Sequence, residues 1–349
     1  MDGDALAPGD AFERALARWS SARAGASTRG ATRAVDAEDG LGEMMRAGRW
    51  RAIAERGDGV ASDEGERAWA FARALAMVRS GRAREAGEAA GGWLGADGAG
   101  VARDALRAEI ALASGDAENG LDLLCELRER CVEGERAGGV EGETWRRRRR
   151  ATERAVARRY LMAENPRAAL IWIDAMARDE PKEPEHLSTA GRAHLMMGDL
   201  EGARLCFNAA EKLTAALGEA ASEEQRARVL RDRGDYFFAG AKYAEARAAY
   251  GAALLKNEND VAAKVNAAVA AVYAGDLDSS RVILENGLVA AADAPAGSPA
   301  RGIITPSAVK NLQSIYELTA RAPAESKLSM NTFIKSIAPE DFDFACMTA

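Results

Sequence analysis

The sequence predicts an all-helical solenoid of stacked helix pairs, closed at its C-terminal end by capping helices. Three observations predict it. Ala, Leu, Arg, Glu and Gly dominate, while aromatics make up only 6% of the 349 residues and prolines number nine. That mix favours helix, because Ala, Leu, Arg and Glu lose little side-chain freedom there, and few Val-Ile-Thr alternations occur to build a sheet. A small residue recurs as a landmark at Gly48, Gly81, Gly115, Ala163, Gly198, Ala241 and Gly275, with gaps of 33, 34, 48, 35, 43 and 34. Four gaps lie within one residue of 34, and the other two exceed that period by loop-sized lengths.

The rest of each repeat follows its landmark. Five residues on stand Ile53, Ala86, Gly120, Ala168, Ala203, Ala246 and Ser280, mostly small, as close helix crossings require. Four further on stand Gly57, Ala90, Leu124, Trp172, Phe207, Tyr250 and Leu284, large and apolar from the third repeat onward. Gly115-Asp116, Gly198-Asp199 and Gly275-Asp276 read as turns in which glycine ends one helix in the left-handed conformation and aspartate caps the next. Asn165-Pro166 serves the same purpose in the fourth repeat. In the fullest repeat Leu230, Gly234, Phe237, Tyr243, Ala246, Tyr250 and Ala253 take the spacings of the tetratricopeptide repeat family. The resemblance covers roughly residues 36–294 and implies a right-handed superhelical solenoid of about seven helix pairs.

Residues 1–35 are expected to form a flexible N-terminal segment. Inserts are expected near 133–150, as a flexible Gly/Glu stretch leading into five arginines, and near 215–225, as a helix extension or loop. A loop should fill 295–305, and capping helices and a tail 306–349. In the cap, Val309, Leu312, Ile315 and Tyr316 share an apolar face at helical spacing. They should cover Val282, Ile283 and Leu288, for which no later repeat exists.

The function classes narrow by charge and motif. A net charge of −7 disfavours direct nucleic-acid binding. No apolar run is long enough to span a bilayer, and the acidic start MDGDALAPGD lacks the features of a secretory signal. Cys125, Cys131, Cys206 and Cys346 form no C-x-x-C pair and read as free thiols in a reducing compartment. His186 and His194 stand eight apart, two helical turns, and read as core or boundary residues rather than metal ligands. With no nucleophile elbow, phosphate loop or dinucleotide fingerprint, the expectation is a protein without catalysis, cofactor, metal or small-molecule substrate.

Two motifs admit a functional and a plain reading. The run Arg146–Arg150 reads either as an import signal or anionic-lipid contact, or as a solvated helix face offset by Glu141, Glu143 and Glu153. The second is favoured. The last four residues match C-a-a-X at Cys346, but Glu340, Asp341 and Asp343 replace the usual basic partner of a prenylated cysteine. Arg-Gly-Asp at 56–58 and 233–235 carries no adhesion meaning on a helical repeat.

Scaffolds of this kind bind partners in a concave groove or along their ends. The partner-contact candidates are Arg192, Arg231, Asp235, Phe238 and Tyr273. One tetratricopeptide subclass grips chaperone C-termini through a Lys/Asn clamp. Asn266 sits at one clamp position, but Asp235 stands where that subclass places an Asn, and would repel a carboxylate.

A closer resemblance lies in the C-terminal third. Asn266-Ala267-Ala268-Val269, Gly275-Asp276-Leu277, and Asn311-Leu312 with Tyr316-Glu317-Leu318 occur in the order found in the trafficking protein particle (TRAPP) complex subunit 12 family. Gly48-Arg49-Trp50 also resembles that family's first repeat. The resemblance implies a scaffold subunit of a TRAPP III-type tethering assembly. Its partners would be other TRAPP subunits, and it would be cytoplasmic, peripheral to ER-Golgi intermediate and Golgi membranes. The short N-terminal region and the arginine insert depart from the family.

Overall fold

The computed structural model describes residues 72–79, 81–94, 100–295, 297–320, 323–339 and 342–347. The expected N-terminal segment 1–35 and the first repeat around Gly48 lie outside the described residues. Among the described residues every regular element is helical, and successive helices pack in series, consistent with a helical solenoid. The chain divides into two compact units, meeting in sequence at Arg159 and Tyr160.

The first unit contains α1 (72–79), α2 (Ala83–Leu94), α3 (Gly100–Ala113), α4 (Ala117–Glu135) and most of α5 (Gly139–Met162). Its turns follow the glycine-aspartate logic. Gly115 takes φ +87°, and the Asp116 carboxylate accepts from the Asn119 backbone N–H at 3.3 Å. Gly120 then passes so close to Leu112 that a Cβ would lie 2.5 Å from its Cγ, so only glycine fits this crossing. Leu127 and Cys131 on α4 pack with Ala105 on α3 in a small core, against which Val101 and Trp145 lean.

The expected flexible insert at 133–150 is instead helical, except for a turn at 136–138. Side chains distant in the pattern hold it. The Trp145 ring sits where a Cβ on Gly134 would be, 2.3 Å from Trp145 Cδ2. Glu153, only 1% exposed, accepts from Arg128 Nε at 3.2 Å and from Arg149 Nη1 at 3.0 Å. Arg149 Nε donates in turn to Glu135 at 2.6 Å. Such a buried pair holds register, since removing one partner strands the other charge.

The second unit runs through α6 (Pro166–Asp179), α7 (Pro184–Met196), α8 (Leu200–Ala216), α9 (Glu223–Ala239), α10 (Tyr243–Lys256), α11 (Val261–Tyr273) and α12 (Leu277–Asp293), ending with α13 (Pro306–Thr319) and α14 (Pro323–Ile337). Left-handed residues recur at Glu164, Gly198, Ala241 and Gly275. The fourth landmark is thus Glu164, not Ala163. The N-cap is Asn165, and the residue before the cap is the one that turns. This moves the gap to Gly198 to 34. It also moves the packing positions from Ala168 and Trp172 to Ala169 and Ile173, both 0% exposed. Trp172 is only half-buried.

With that correction the two units share one register. Five residues past Gly81, Glu164, Gly198, Ala241 and Gly275, each left-handed, Ala86, Ala169, Ala203, Ala246 and Ser280 are all 0% exposed. Four further on, Leu124, Ile173, Phe207, Tyr250 and Leu284 are buried. The large side chain fills the space left by a glycine on the paired helix. A Cβ on Gly191 would lie 2.4 Å from the Phe207 ring, and one on Gly234 2.5 Å from the Tyr250 ring.

At 215–225 the chain makes a short 3-10 turn, Gly218–Ala220, before Ser222 and Gln225 form a reciprocal capping box that starts α9. Residues 297–305 contain a 3-10 helix, Pro299–Ile303, whose Ile303 is 1% exposed and seats against Gly287. Val309, Leu312 and Ile315 of α13 are buried with Leu284, Leu288 and Ala291 of α12 in the largest cluster. Tyr316 is half-buried, and its hydroxyl donates to Glu285 at 2.9 Å. Of the three positions expected under the cap, Leu288 is 2% exposed, Ile283 is partly buried, and Val282 faces solvent at 43%. Val282 lies on the far side of α12 from Leu284 and Leu288.

The tail folds onto the same cluster. Phe342 and Cys346 are buried, and Asn331 Nδ2 donates to the Met347 carbonyl at 3.5 Å. Burial raises the Cys346 thiol pKa. In this packing the C-a-a-X cysteine is 2% exposed.

Candidate partner-binding face

The five partner-contact candidates fall on the first helices of three successive pairs. Arg192 is on α7, Tyr273 ends α11, and Arg231, Asp235 and Phe238 are on α9 between them. On α9 the spacing of four and then three residues sets these side chains on one face. The structure therefore brings the candidates into a continuous strip, but it also gives most of them partners within the chain.

The polar half of the strip is an ion-pair ladder. Arg192 Nη1 donates to Asp232 Oδ1 at 3.1 Å. Asp232 is 1% exposed; burial raises its pKa, and the Arg192 charge opposes that rise. Arg231 Nη1 lies 2.8 and 2.7 Å from the two Asp260 oxygens. Burial works to lower the Arg231 pKa, but Asp260, with Asp232 and Asp235, more than offsets it, and the net shift is upward. Asp260 is also the N-cap of α11, accepting from Ala263 N at 3.0 Å. Arg231 is thus anchored to a helix terminus, where a carboxylate is already held in place.

Asp235 sits at the centre. It accepts from Tyr250 Oη at 2.8 Å and from Asn266 Nδ2 at 3.2 Å. Burial raises its pKa, with Tyr250, Arg192, Arg231 and Asn266 acting against the rise. The Tyr250 hydroxyl is pushed far above its ordinary range, by burial first and then by the Asp235 charge. The Asn266 amide, which the chaperone-clamp reading needs for a ligand carboxylate, is therefore engaged by a carboxylate of the chain itself.

The apolar half is aromatic. Phe238 meets Tyr243 and Tyr273 edge-on, each at 5.4 Å between ring centroids, and Tyr243 and Tyr273 stack at 5.0 Å. Tyr273 keeps 60% of its surface exposed. A mutually braced aromatic cluster with Tyr273 exposed and Phe238 and Tyr243 half-buried, beside a fixed charge ladder, can take an extended segment or helix with an apolar side chain and a few polar groups. Nothing in it resembles a nucleophile with its base. Among the described residues no group of three or more His, Cys, Asp and Glu is disposed to hold a metal. His186 pairs with Glu180 at 3.0 Å, and His194 with Asp199 at 2.8 Å.

No protein-family model matches the chain. Over 166 residues it is 28% identical to mouse (Mus musculus) trafficking protein particle complex subunit 12. The matched stretch is 48% of this chain and 19% of the mouse protein, so the chain spans about a fifth of that relative's length. Among the described residues, no helix is long and apolar enough to cross a membrane.

Sequence reasoning singled out Arg192, Arg231 and Asp235 but missed their partners Asp232, Asp260 and Tyr250. A signal existed for one of them. Asp260 precedes the apolar run of α11 as an N-cap, and Arg231 and Asp260 stand 29 residues apart, the same separation as the Arg247–Asp276 pair one helix on. Arg247 reaches the cap of α12 as Arg231 reaches the cap of α11.

Proposed function

We propose that this chain is a tetratricopeptide-type scaffold subunit of a TRAPP III-type tethering and Rab-activating assembly, serving ER-to-Golgi transport and autophagy. The likeness to subunit 12 of the mouse trafficking protein particle complex carries the reading. Support comes from the 34-residue register of buried small and large positions, which is that of tetratricopeptide helix pairs. In this reading the chain works by protein–protein contact alone. It uses the α7–α9–α11 strip and the capped C-terminal end, without cofactor or catalysis, and it reaches Golgi membranes through its complex. Binding of a chaperone C-terminus, the other use of such repeats, is disfavoured by Asp235, which already occupies the Asn266 amide.

Affinity purification of the full chain with identification of co-purifying proteins tests the proposal. Small core TRAPP subunits are expected. Recovery of heat-shock chaperones in their place, or acceleration of Rab nucleotide release by the purified chain alone, would overturn it.

A further inference from the structure

Four left-handed turns of the second unit are flanked by an apolar residue on both sides. The helices before these turns end in Met162, Met196, Ala239 and Tyr273, each two residues before the left-handed position. The helices after them begin with Pro166, Leu200, Tyr243 and Leu277, each two residues past it. All four helix-ending residues are exposed, as is Leu200, and the other three are half-buried. Helix capping does not require this. The apolar contacts that accompany caps join C3 to C″ and N′ to N4, whereas these residues stand at C1 and N1.

Neighbouring turns meet along this edge. Tyr243 at the start of α10 stacks at 5.0 Å on Tyr273 at the end of α11, with Phe238 edge-on to both. The equivalent positions one and two turns back are Leu200 with Ala239, and Pro166 with Met196. By this register the aromatic half of the α7–α9–α11 strip is one end of a longer apolar band. In the first unit the same positions around the left-handed Gly115 hold only Ala113 and Ala117.

The border of the band is acidic. Residues 164–168, 198–202, 241–245 and 275–279 hold six carboxylates against two cations, Arg167 and Lys242. Asp199 and Asp276 act as N-caps. The other four, Glu164, Glu201, Glu245 and Asp278, are exposed. Glu201 and Asp278 pair with Arg204 and Arg281, three residues further from the turn.

We infer that this edge receives a helix of a partner protein, with large apolar side chains seven residues apart and lysine or arginine flanking them. The inference rests on the reading that the second unit works through protein contact, and it names the chemistry of that contact. Packed helices stand about 8–10 Å apart, so the apolar steps of the edge repeat near that distance. Every seventh residue of a crossing helix lies about 10.5 Å further along its axis, which matches the step. Its flanking cations face the carboxylate border. A second copy of the chain fits less well, because it sets two acidic borders against each other, and an anionic bilayer or a nucleic acid meets the same repulsion.

The test is fluorescence anisotropy with the full chain and a labelled helical peptide bearing leucine at i, i+7 and i+14 with lysines beside them. A scrambled peptide of equal composition and the same peptide with glutamate for lysine serve as comparators. The ordered lysine peptide should bind best, and less tightly as salt rises. The triple variant Met196→Gln, Leu200→Gln, Tyr273→Gln should weaken it at least about tenfold, with helical content unchanged, since all three side chains are exposed. Met196→Gln and Leu200→Gln made singly should each weaken it in the same direction, which keeps the test valid if the triple variant folds poorly. Leu255→Gln, at an 88% exposed leucine of α10 outside the band, should bind as the parent does. Glu164→Gln with Glu245→Gln should narrow the preference for lysine over glutamate. The inference is overturned if the ordered peptide fails to bind, if scrambling or the glutamate exchange makes no difference, or if the edge variants bind as the parent does. It is equally overturned if Leu255→Gln weakens binding as much as they do, or if sedimentation shows a dimer of the parent that the triple variant dissolves. Each of these outcomes leaves the co-purification of TRAPP subunits standing, and a failed co-purification leaves the peptide result standing.

Discussion

At the scale of single residues, Asp235 decides what the α9 face can bind. Its carboxylate accepts from Tyr250 and Asn266, and burial holds its pKa above the ordinary value. A carboxyl group raised in the folded state binds more protons folded than unfolded. Its contribution therefore favours folding as pH falls through the raised value toward the unfolded one, and is lost as pH rises through it. Asp235→Asn removes the buried charge but keeps an oxygen to accept both hydrogen bonds. It is expected to melt within about 1 kcal/mol of the parent at neutral pH, and to lose that part of the pH dependence, which sets in as pH rises above the ordinary carboxylate pKa of about 4. Asp235→Ala leaves the Tyr250 hydroxyl and the Asn266 amide without their acceptor, and should cost about 1–3 kcal/mol. Melting curves of the three proteins across that rise in pH check both. An Asn variant as damaged as the Ala variant would mean that the charge itself, facing Arg192 and Arg231, is what stabilises.

At the scale of elements, the decisive piece is α13. Thr305 caps it by accepting from Ala308 N at 3.2 Å, and Pro306 stands at its first turn. Its Val309, Leu312 and Ile315 fill the seam on α12 with 0%, 1% and 2% exposure. Each such side chain contributes roughly 1.5–3 kcal/mol of gross burial. Leu312→Asp places an unpaired charge there, and should cost at least about 3 kcal/mol in chemical denaturation. A change below about 1 kcal/mol would show that the seam is loose, and that α13 is not what closes the repeat stack.

At the scale of the whole molecule, an end of the second unit is sealed by parts far apart in sequence. The cluster under the cap draws on α11, α12, the 3-10 turn at Pro299–Ile303, α13, α14 and the tail residues Phe342 and Cys346. Arg301 ties these together, donating to the carbonyls of Ala291, Ala294 and Ile337. Truncation after Pro295 removes all the later parts at once and bares Leu284, Leu288 and Ala291. The truncated chain is expected to bind a hydrophobic dye, aggregate, and lose the proteins that co-purify with the full chain. A shortened chain that stayed monomeric and melted at the parent's temperature would contradict the cap.

What the sequence determined by itself was the repeat: helix pairs, glycine-aspartate turns and alternating small and large crossings. These are local and periodic, so spacing alone exposes them. The apolar face of α13 is legible in the same way, because it is a helical stripe within one element. Tertiary structure alone decided the register of the fourth repeat. Ala163 and Glu164 are equally plausible turn residues in sequence, and only the burial of Ala169 and Ile173 chooses between them. It alone turned 133–150 into a helical hairpin, because Glu135, Arg149 and Glu153 stabilise it through contacts between helices. It also showed that the partner-contact candidates Arg192, Arg231 and Asp235 are paired within the chain. Periodicity reports which face a residue shares; whether its charge is already answered depends on groups 15 to 40 residues away, which only the packed helices bring within reach.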